Sequence, residues 1–446
     1  MLPKLIKNTT AFIGDTFEQF DNIDILFSDG AITKIQPNIN EEGAFVIDGS
    51  DFFLTPGFIN SHFHPSQQIN RALGVGLSHD EQMDLLHITS KNKQKSDSYW
   101  LSCLAVLEGL KSGTTCFNSV GSKIQNQYKV YKKMGARAAC AMIPKDIVSS
   151  NKNPNKRAVT WETYERLKQA EQYHKEYHGD LIRIHFGVVN VRYASDQLIL
   201  GMLDLANRYD VFFHMHAAES IEYVNNVIHR TGNRPVEHLH KIGALTDRVA
   251  MAHATQITPQ EIEFISENRA HIIHCPRANS YLAVGVCPVK DLLDHNINVA
   301  LGSDAAINNN SNEVRGEARF VHDKLAGKYG KANIVDHITL IKMLTINGAK
   351  AMGLEKEIGT IAVGKKADIV LWSKNDIQFI PGYNYLADLV FNDSCRAHTV
   401  IVNGKTIIEN YASLCVDETE LIQMGRRISK RYYDMFHSKV VQHLFN

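Results

Sequence analysis

The chain has 446 residues, 44% of them hydrophobic, which exceeds one ordinary domain of ~100–200 residues unless the fold is a large α/β barrel. Lys plus Arg and Asp plus Glu both number 48, so a formal net charge of zero leaves no sequence-wide basic field for nucleic acid or anionic lipid. The opening MLPKLIKNTTAFIGD has no apolar signal core and no run reaches the ~18 apolar residues of a membrane span, which predicts a soluble, cytoplasmic protein.

In chain order, residues 24–27 and 31–35 read as strands flanking Asp29-Gly30, a hairpin signal with glycine available for positive φ. From Phe58 to about Leu354, short apolar strands at 58–62, 114–118, 136–143, 182–189, 211–216, 248–253, 270–275 and 297–303 alternate with helical stretches. Eight such units predict an α/β fold, a (β/α)₈ TIM barrel whose chemistry sits at the carboxyl ends of its strands. Two helices are marked locally. Residues 97–113 carry Leu101, Leu104, Ala105 and Leu107 toward a core, and Thr258-Pro259-Gln260-Glu261 is a capping box. The polar segment 149–157 reads as a surface loop or flexible lid.

After Gly353 strand texture returns at 369–372 and 400–402, with Asn403-Gly404 as a second hairpin turn before 405–408, and a helix runs from Glu418 to about Gln442. The two chain ends are therefore expected to build one small β-domain beside the barrel. Residues 1–55 supply its first part, 56–357 form the catalytic barrel, and 358–446 complete the β-domain and add the terminal helix.

Seven cysteines are scattered without a C-x-x-C pair, which suits reduced, buried thiols better than a disulfide framework. Twenty-one histidines are the compositional outlier and raise the expectation of a metal or acid/base site. His62-Phe63-His64 closes the first barrel strand, and residues i and i+2 share a face, so the two imidazoles form a metal corner. His216-Ala217-Ala218-Glu219 closes the fifth strand, offering a ligand with a carboxylate for proton transfer nearby. His253 ends the sixth strand and Asp304 follows the eighth, where a carboxylate is costly unless paired or metal-bound. Each has an ordinary structural explanation alone; together, at four strand ends on one face, they point to a single site. His185, His214, His271, His274 and the His79/His87 pair are read as packing residues or bystanders, and His174 with His178 as a solvated helix face.

Six ordered landmarks cover nearly the whole chain: Leu54-Thr55-Pro56-Gly57-Phe58-Ile59-Asn60-Ser61-His62-Phe63-His64, His216-Ala217-Ala218-Glu219-Ser220, Met251-Ala252-His253, His274-Cys275-Pro276-Arg277-Ala278-Asn279-Ser280, Leu301-Gly302-Ser303-Asp304, and Ile358-Gly359-Thr360-Ile361-Ala362-Val363-Gly364-Lys365-Lys366-Ala367-Asp368. In these the sequence resembles the amidohydrolase superfamily, in its branch of deaminases and chlorohydrolases that includes atrazine chlorohydrolase, S-adenosylhomocysteine deaminase and guanine deaminase. The resemblance implies a β-sandwich built from both chain ends. It also implies that His62, His64, His216 and Asp304 hold one divalent metal ion per chain, zinc or iron, and that Glu219, His253 and Asp304 are catalytic. Residues 182–189 contain no lysine, glutamate or cysteine to bridge a second ion.

The implied reaction is deamination of an amino-substituted purine, pyrimidine, pterin or triazine by metal-bound hydroxide, with Glu219 protonating the ring nitrogen. Loss of chloride or an alkylamine from such a ring, opening of a cyclic amide, and a catalytically silent scaffold are the alternatives. Where adenosine-type deaminases carry His-Ala-Pro after the fourth strand, this chain has Val189-Asn190-Val191-Arg192, and the guanine deaminase Arg-Phe-x-Pro-x-Cys run is missing. Gln67, Gln68, Arg192 and Asn279, near strand ends, are the candidates for reading a heterocycle. The expected partner is this small molecule, with no nucleic acid or membrane, in a homodimer or larger homo-oligomer.

Overall fold

The computed structural model describes residues 2–121, 123–147 and 160–444, so the polar segment 149–157 lies outside the described residues. The chain opens with β1 (Lys4–Ile13), β2 (Glu18–Ser28), β3 (Ala31–Gln36), β4 (Phe45–Asp48) and β5 (Phe52–Pro56). Then follow β6 (Phe58–Phe63), β7 (Thr114–Val120), β8 (Arg137–Ala141), β9 (Ile182–Gly187), β10 (Phe213–Ala217), β11 (Val249–His253), β12 (His271–His274) and β13 (Val299–Leu301). The last strands are β14 (Ile369–Ser373), β15 (Thr399–Val402), β16 (Lys405–Glu409) and β17 (Ala412–Ser413).

Strands β6 to β13 form one eight-stranded parallel sheet in sequence order. It closes on itself because Asp304 N–H donates to His62 O at 2.9 Å and His64 N–H to Asp304 O at 3.3 Å. The Asn60 side chain clamps the same seam, donating to Ser303 Oγ at 2.7 Å and accepting from Ser303 N–H at 3.0 Å. All residues of β6, β7, β8, β11 and β13 are buried, as in a parallel sheet covered on both faces. Covering helices are amphipathic: Asp196–Arg208 starts at Ser195, whose Oγ accepts from Leu198 N–H, and turns Leu198, Ile199, Met202, Leu205 and Ala206 inward. The Thr258–Glu261 capping box forms as expected, each residue's side chain bonded to the other's backbone N–H.

Both chain ends combine in a separate nine-stranded mixed sheet, where β14 runs antiparallel to β5 and sets Trp372 opposite Phe53. Asp29 and Gly30 have φ of 48° and 81°, and Asn403 and Gly404 have 49° and 75°, so both predicted hairpin turns use left-handed backbone. These two tips touch. A Cβ on Gly30 would sit 2.6 Å from Asn403 Oδ1, which requires glycine there. The two units are tied by Arg137, whose Nε and Nη2 donate to Asp368 at 2.7 and 3.1 Å with both side chains buried. The C-terminal helix Glu418–Leu444 docks Ile428 and Tyr432 on Leu101, and Tyr432 Oη donates to Asp97 Oδ2 at 3.2 Å.

One sequence expectation is corrected. His174 departs from the expected solvated face, being buried with Nδ1 3.0 Å from Ile184 O, whereas His178 stays exposed while its Nδ1 accepts from Ile184 N–H at 3.2 Å, and both bonds fasten the helix to β9. All seven cysteines are free, six of them buried. Among the described residues no helix is long and apolar enough to cross a membrane.

Candidate active site

The carboxyl ends of β6, β10, β11 and β13 bring their polar residues to one point, as the strand-end argument expects. Ligand atoms of His62, His64 and His216 lie within 4.8 Å of one another, and so do those of His62, His253 and Asp304. Nε2 of His62 and of His64 stand 3.5 and 3.6 Å from Asp304 Oδ1. His253 is thus within the donor cluster itself, closer to the metal site than its expected place beside it.

The backbone is bent to achieve this. Ala218, His253, Ala254 and Asp304 have φ of 47°, 78°, 52° and 59°, left-handed values for residues other than glycine. Each costs about 1–3 kcal/mol and persists only where the surroundings hold it, a pattern concentrated at functional sites.

Each imidazole is oriented by its far nitrogen. His216 Nδ1–H donates to Val189 O at 2.7 Å, leaving Nε2 to face the cluster. His253 Nδ1 is 2.9 Å from Asn279 Oδ1, and its Nε2 is 3.8 Å from Glu219 Oε1. His62 Nδ1 is 2.9 Å from His214 Nε2, and His214 Nδ1 is 3.1 Å from the Asn118 side-chain amide. For His62 to offer an Nε2 lone pair it must carry its proton on Nδ1 and donate it to His214. His214 then donates from Nδ1, and the Asn118 amide, turned by half a rotation, accepts with its oxygen. That orientation also supplies a partner for Asn118 Oδ1, which is otherwise buried without one.

Electrostatics agree with cation binding. Burial is the main cause, with help from neighbouring imidazoles, that holds His62 and His64 below the ordinary histidine value and His216 at about 4. All three are neutral at pH 7, the ligating form. Burial works against ionisation of Asp304, yet His62, His253 and His64 outweigh it and hold the carboxyl well below its usual range. For His253 burial is again opposed, here by the Glu219 and Asp304 carboxylates, and its pKa is raised. Buried His62 Nε2 has no hydrogen-bond partner, an orphan costing about 1–3 kcal/mol that a coordinated cation would relieve. Imidazole nitrogens with one carboxylate suit zinc or ferrous iron, so the residues present fit a divalent ion.

A 240 Å³ cavity opens on the cluster, lined among others by His64, His216, Glu219, His253 and Asp304. Of the four residues expected to read substrate, Gln67 and Arg192 line it. Gln68 and Asn279 are instead engaged elsewhere: Gln68 Oε1 accepts from Asn312 Nδ2 at 2.8 Å, and Asn279 is held between His253 and His274. Met83, Leu86 and Tyr223 add walls that no strand-end argument identified, because they come from helices, and Ile143, the last residue of the predicted strand 136–143, adds another. His214 and Asn118 were likewise not singled out as orienting groups, although each stands in or at the end of a predicted strand, one of them two residues from His216. A larger polar cleft of 870 Å³ near Glu108, Lys111 and Arg396 contains none of the donor cluster.

The sequence profile of the amidohydrolase family matches residues 53–407. The chain belongs to this family. The amidohydrolase is 30% identical over 412 residues to the 5'-deoxyadenosine deaminase of Methanobrevibacter smithii, covering 90% of this chain and 92% of that one. It is 31% identical over 425 residues to the 5-methylthioadenosine/S-adenosylhomocysteine deaminase of Thermoanaerobacter pseudethanolicus, covering 93% and 95%. Among solved structures, the fold is shared with an adenosine deaminase from Xanthomonas campestris (TM-score 0.88, 24% identity, 96% and 98% covered). It is also shared with atrazine chlorohydrolase from Arthrobacter aurescens TC1 (TM-score 0.88, 21% identity, 95% and 99% covered).

Proposed function

We propose that this amidohydrolase hydrolytically deaminates an amino-substituted nitrogen heterocycle, of purine, pyrimidine, pterin or triazine type. The observation that carries the reading is the Glu219–His253 pair, 3.8 Å apart on the wall of the cavity that also holds the metal-ligand cluster. The two curated relatives above are named as deaminases of adenosine derivatives, which supports the same class of reaction.

His62, His64, His216 and Asp304 would hold the ion, zinc in the first instance, with His253 inside the same donor range. When bound there, a divalent ion would lower the pKa of water to ~7 and so supply a nucleophile at neutral pH. Asp304, ionised and facing the cluster, accepts the proton that water gives up. Glu219 delivers a proton to the ring nitrogen next to the carbon under attack, which makes that carbon electrophilic. His253, fixed through Nδ1 by Asn279, directs Nε2 at the developing negative oxygen. The departing amine takes the proton that Asp304 accepted from water and leaves as ammonia, while the hydroxyl proton on the attacked carbon returns to Glu219, so the ring is left with an oxo group and both carboxyl groups regain their starting states. Amine loss requires this delivery whereas chloride loss does not, and that favours deamination over dechlorination.

Elemental analysis followed by an ammonia-release panel of aminated purines, pyrimidines, pterins and triazines tests the proposal. About one zinc or iron per chain and ammonia from at least one ring is the expected result. Stoichiometric metal with no ammonia from any ring overturns it and turns attention to halogenated rings and cyclic amides. Cytoplasmic residence and a homodimer or larger assembly belong to the same reading, and sedimentation velocity tests the second.

A further inference from the structure

We infer that Arg192 makes this enzyme select substrates carrying a carbonyl or carboxylate oxygen, which adds a substrate feature to the deamination reading and rests on it. Arg192 follows β9 and is the only lysine or arginine among the described residues lining the 240 Å³ cavity. Its side chain is 15% exposed, and its Nε is buried without a hydrogen-bond partner. One end of the guanidinium is occupied: Nη1 lies 3.5 Å from Glu222 Oε1, a carboxylate that is itself half-exposed and therefore screened by water. The Nε edge is left to another acceptor. A buried guanidinium donor without an acceptor is costly, and a planar fork matches a carboxylate or carbonyl oxygen.

The segment bearing Arg192 is held rigid. Arg230 Nη2 donates to Val191 O at 2.6 Å, Val191 N–H donates to Tyr223 Oη at 3.3 Å, and Tyr193 N–H donates to Asn190 Oδ1 at 3.1 Å. The guanidinium carbon stands 5.2 Å from the centre of the Tyr193 ring, which fixes its plane. A positioned donor of this kind discriminates strongly, because a ligand lacking the oxygen leaves it unpaired in the closed site. The oxygen has two chemical sources: an oxo group on the aminated ring, or a carboxylate on a substituent of that ring.

The zinc-reconstituted enzyme distinguishes these sources. 5'-Deoxyadenosine has neither group, S-adenosylhomocysteine adds a tail carboxylate to the same base, and guanine or pterin carries the oxo group on the ring. Ammonia release is measured for wild type, R192Q and R192K, with calorimetric binding of the same ligands to E219Q and E219Q/R192Q. Thermal melting verifies that each variant is folded. Wild type is expected to prefer one oxygen-bearing ligand over 5'-deoxyadenosine. R192Q is expected to shrink that preference by about 10- to 100-fold, mainly through KM, the range for a hydrogen bond to a charged group. R192K, which keeps the charge without the fork, recovers part of it. Loss confined to S-adenosylhomocysteine assigns the carboxylate, and loss confined to guanine or pterin assigns the ring oxygen.

A folded R192Q with an unchanged preference, or an enzyme that prefers 5'-deoxyadenosine, overturns the inference while leaving deamination standing. Arg192-dependent binding without ammonia does the reverse. Failure of every oxygen-bearing ligand to bind also overturns it.

Discussion

Replacing His214 by phenylalanine tests whether His62, proposed as a metal ligand, is set from behind. Phenylalanine is somewhat larger than histidine but keeps an aromatic ring to stack on His62, whose ring centre is 5.0 Å away at 22°, and it offers no nitrogen. His62 Nδ1–H, now 2.9 Å from His214 Nε2, would lose its acceptor at a site with no exposure. An unsatisfied buried donor costs about 1–3 kcal/mol, and at 1.4 kcal/mol per tenfold this weakens zinc binding by roughly 5- to 150-fold. Outer-shell partners of metal-bound histidines show about 10- to 100-fold effects, so the two estimates meet. Competition against a chromophoric chelator at neutral pH measures the change. Asn118→Asp keeps an acceptor for His214 Nδ1–H and should bind zinc far better than Asn118→Leu, which removes it. Zinc affinity in H214F within about twofold of wild type, with a normal melting temperature, would show that His214 is packing alone and refute the relay.

Glu219→Gln should retain the metal, because Glu219 is outside the two ligand groups, while deamination falls by about 10²- to 10⁴-fold; near-normal ammonia release removes the proton-delivery role. The metal-free protein should lose stability on acidification. Burial, first among the causes, lowers His216 to about 4 and His185 and His274 to about 3 in the folded state. The unfolded chain binds those protons near pH ~6.5, so this stability is present above ~6.5 and drains as pH falls toward the folded values, by about 1.4 kcal/mol per unit for each histidine. Urea unfolding of the chelated protein between pH 7 and 4 measures the slope, and a flat profile contradicts the assignment of buried neutral imidazoles. Gly30→Ala should destabilise by about 1–3 kcal/mol, since φ is 81° and the added carbon meets Asn403 Oδ1 at 2.6 Å; an unchanged melting temperature would mean the hairpin tips separate freely.

The barrel was legible because its information is local. Short apolar runs that become parallel strands, and histidines or an aspartate placed where those runs stop, specify on one line both the sheet and the rim that will carry chemistry. His62 and His64 share a face by the two-residue period of a strand, and Thr258 with Glu261 caps a helix from residues three apart. The hairpin turns at Asp29-Gly30 and Asn403-Gly404 are local in the same way, since positive φ is a property of the residue.

Tertiary structure decided whatever depends on partners distant in sequence. His214 reaches His62 across 152 residues and Asn118 across 96, so nothing near either one marks it as an orienting group. Periodicity placed His174 and His178 on one helical stripe, but only the packing of that helix on β9 decided that His174 is buried while His178 stays exposed. Asn279 and Gln68 stand at strand ends by sequence, yet their amides are taken by His253 and Asn312, while Arg192 keeps an edge free because Glu222 meets only its other end. The left-handed backbone at His253 and Asp304 belongs to the same class. Local preference opposes it, and it is held only because the closed barrel supplies enough hydrogen bonds and contacts to outweigh the strain.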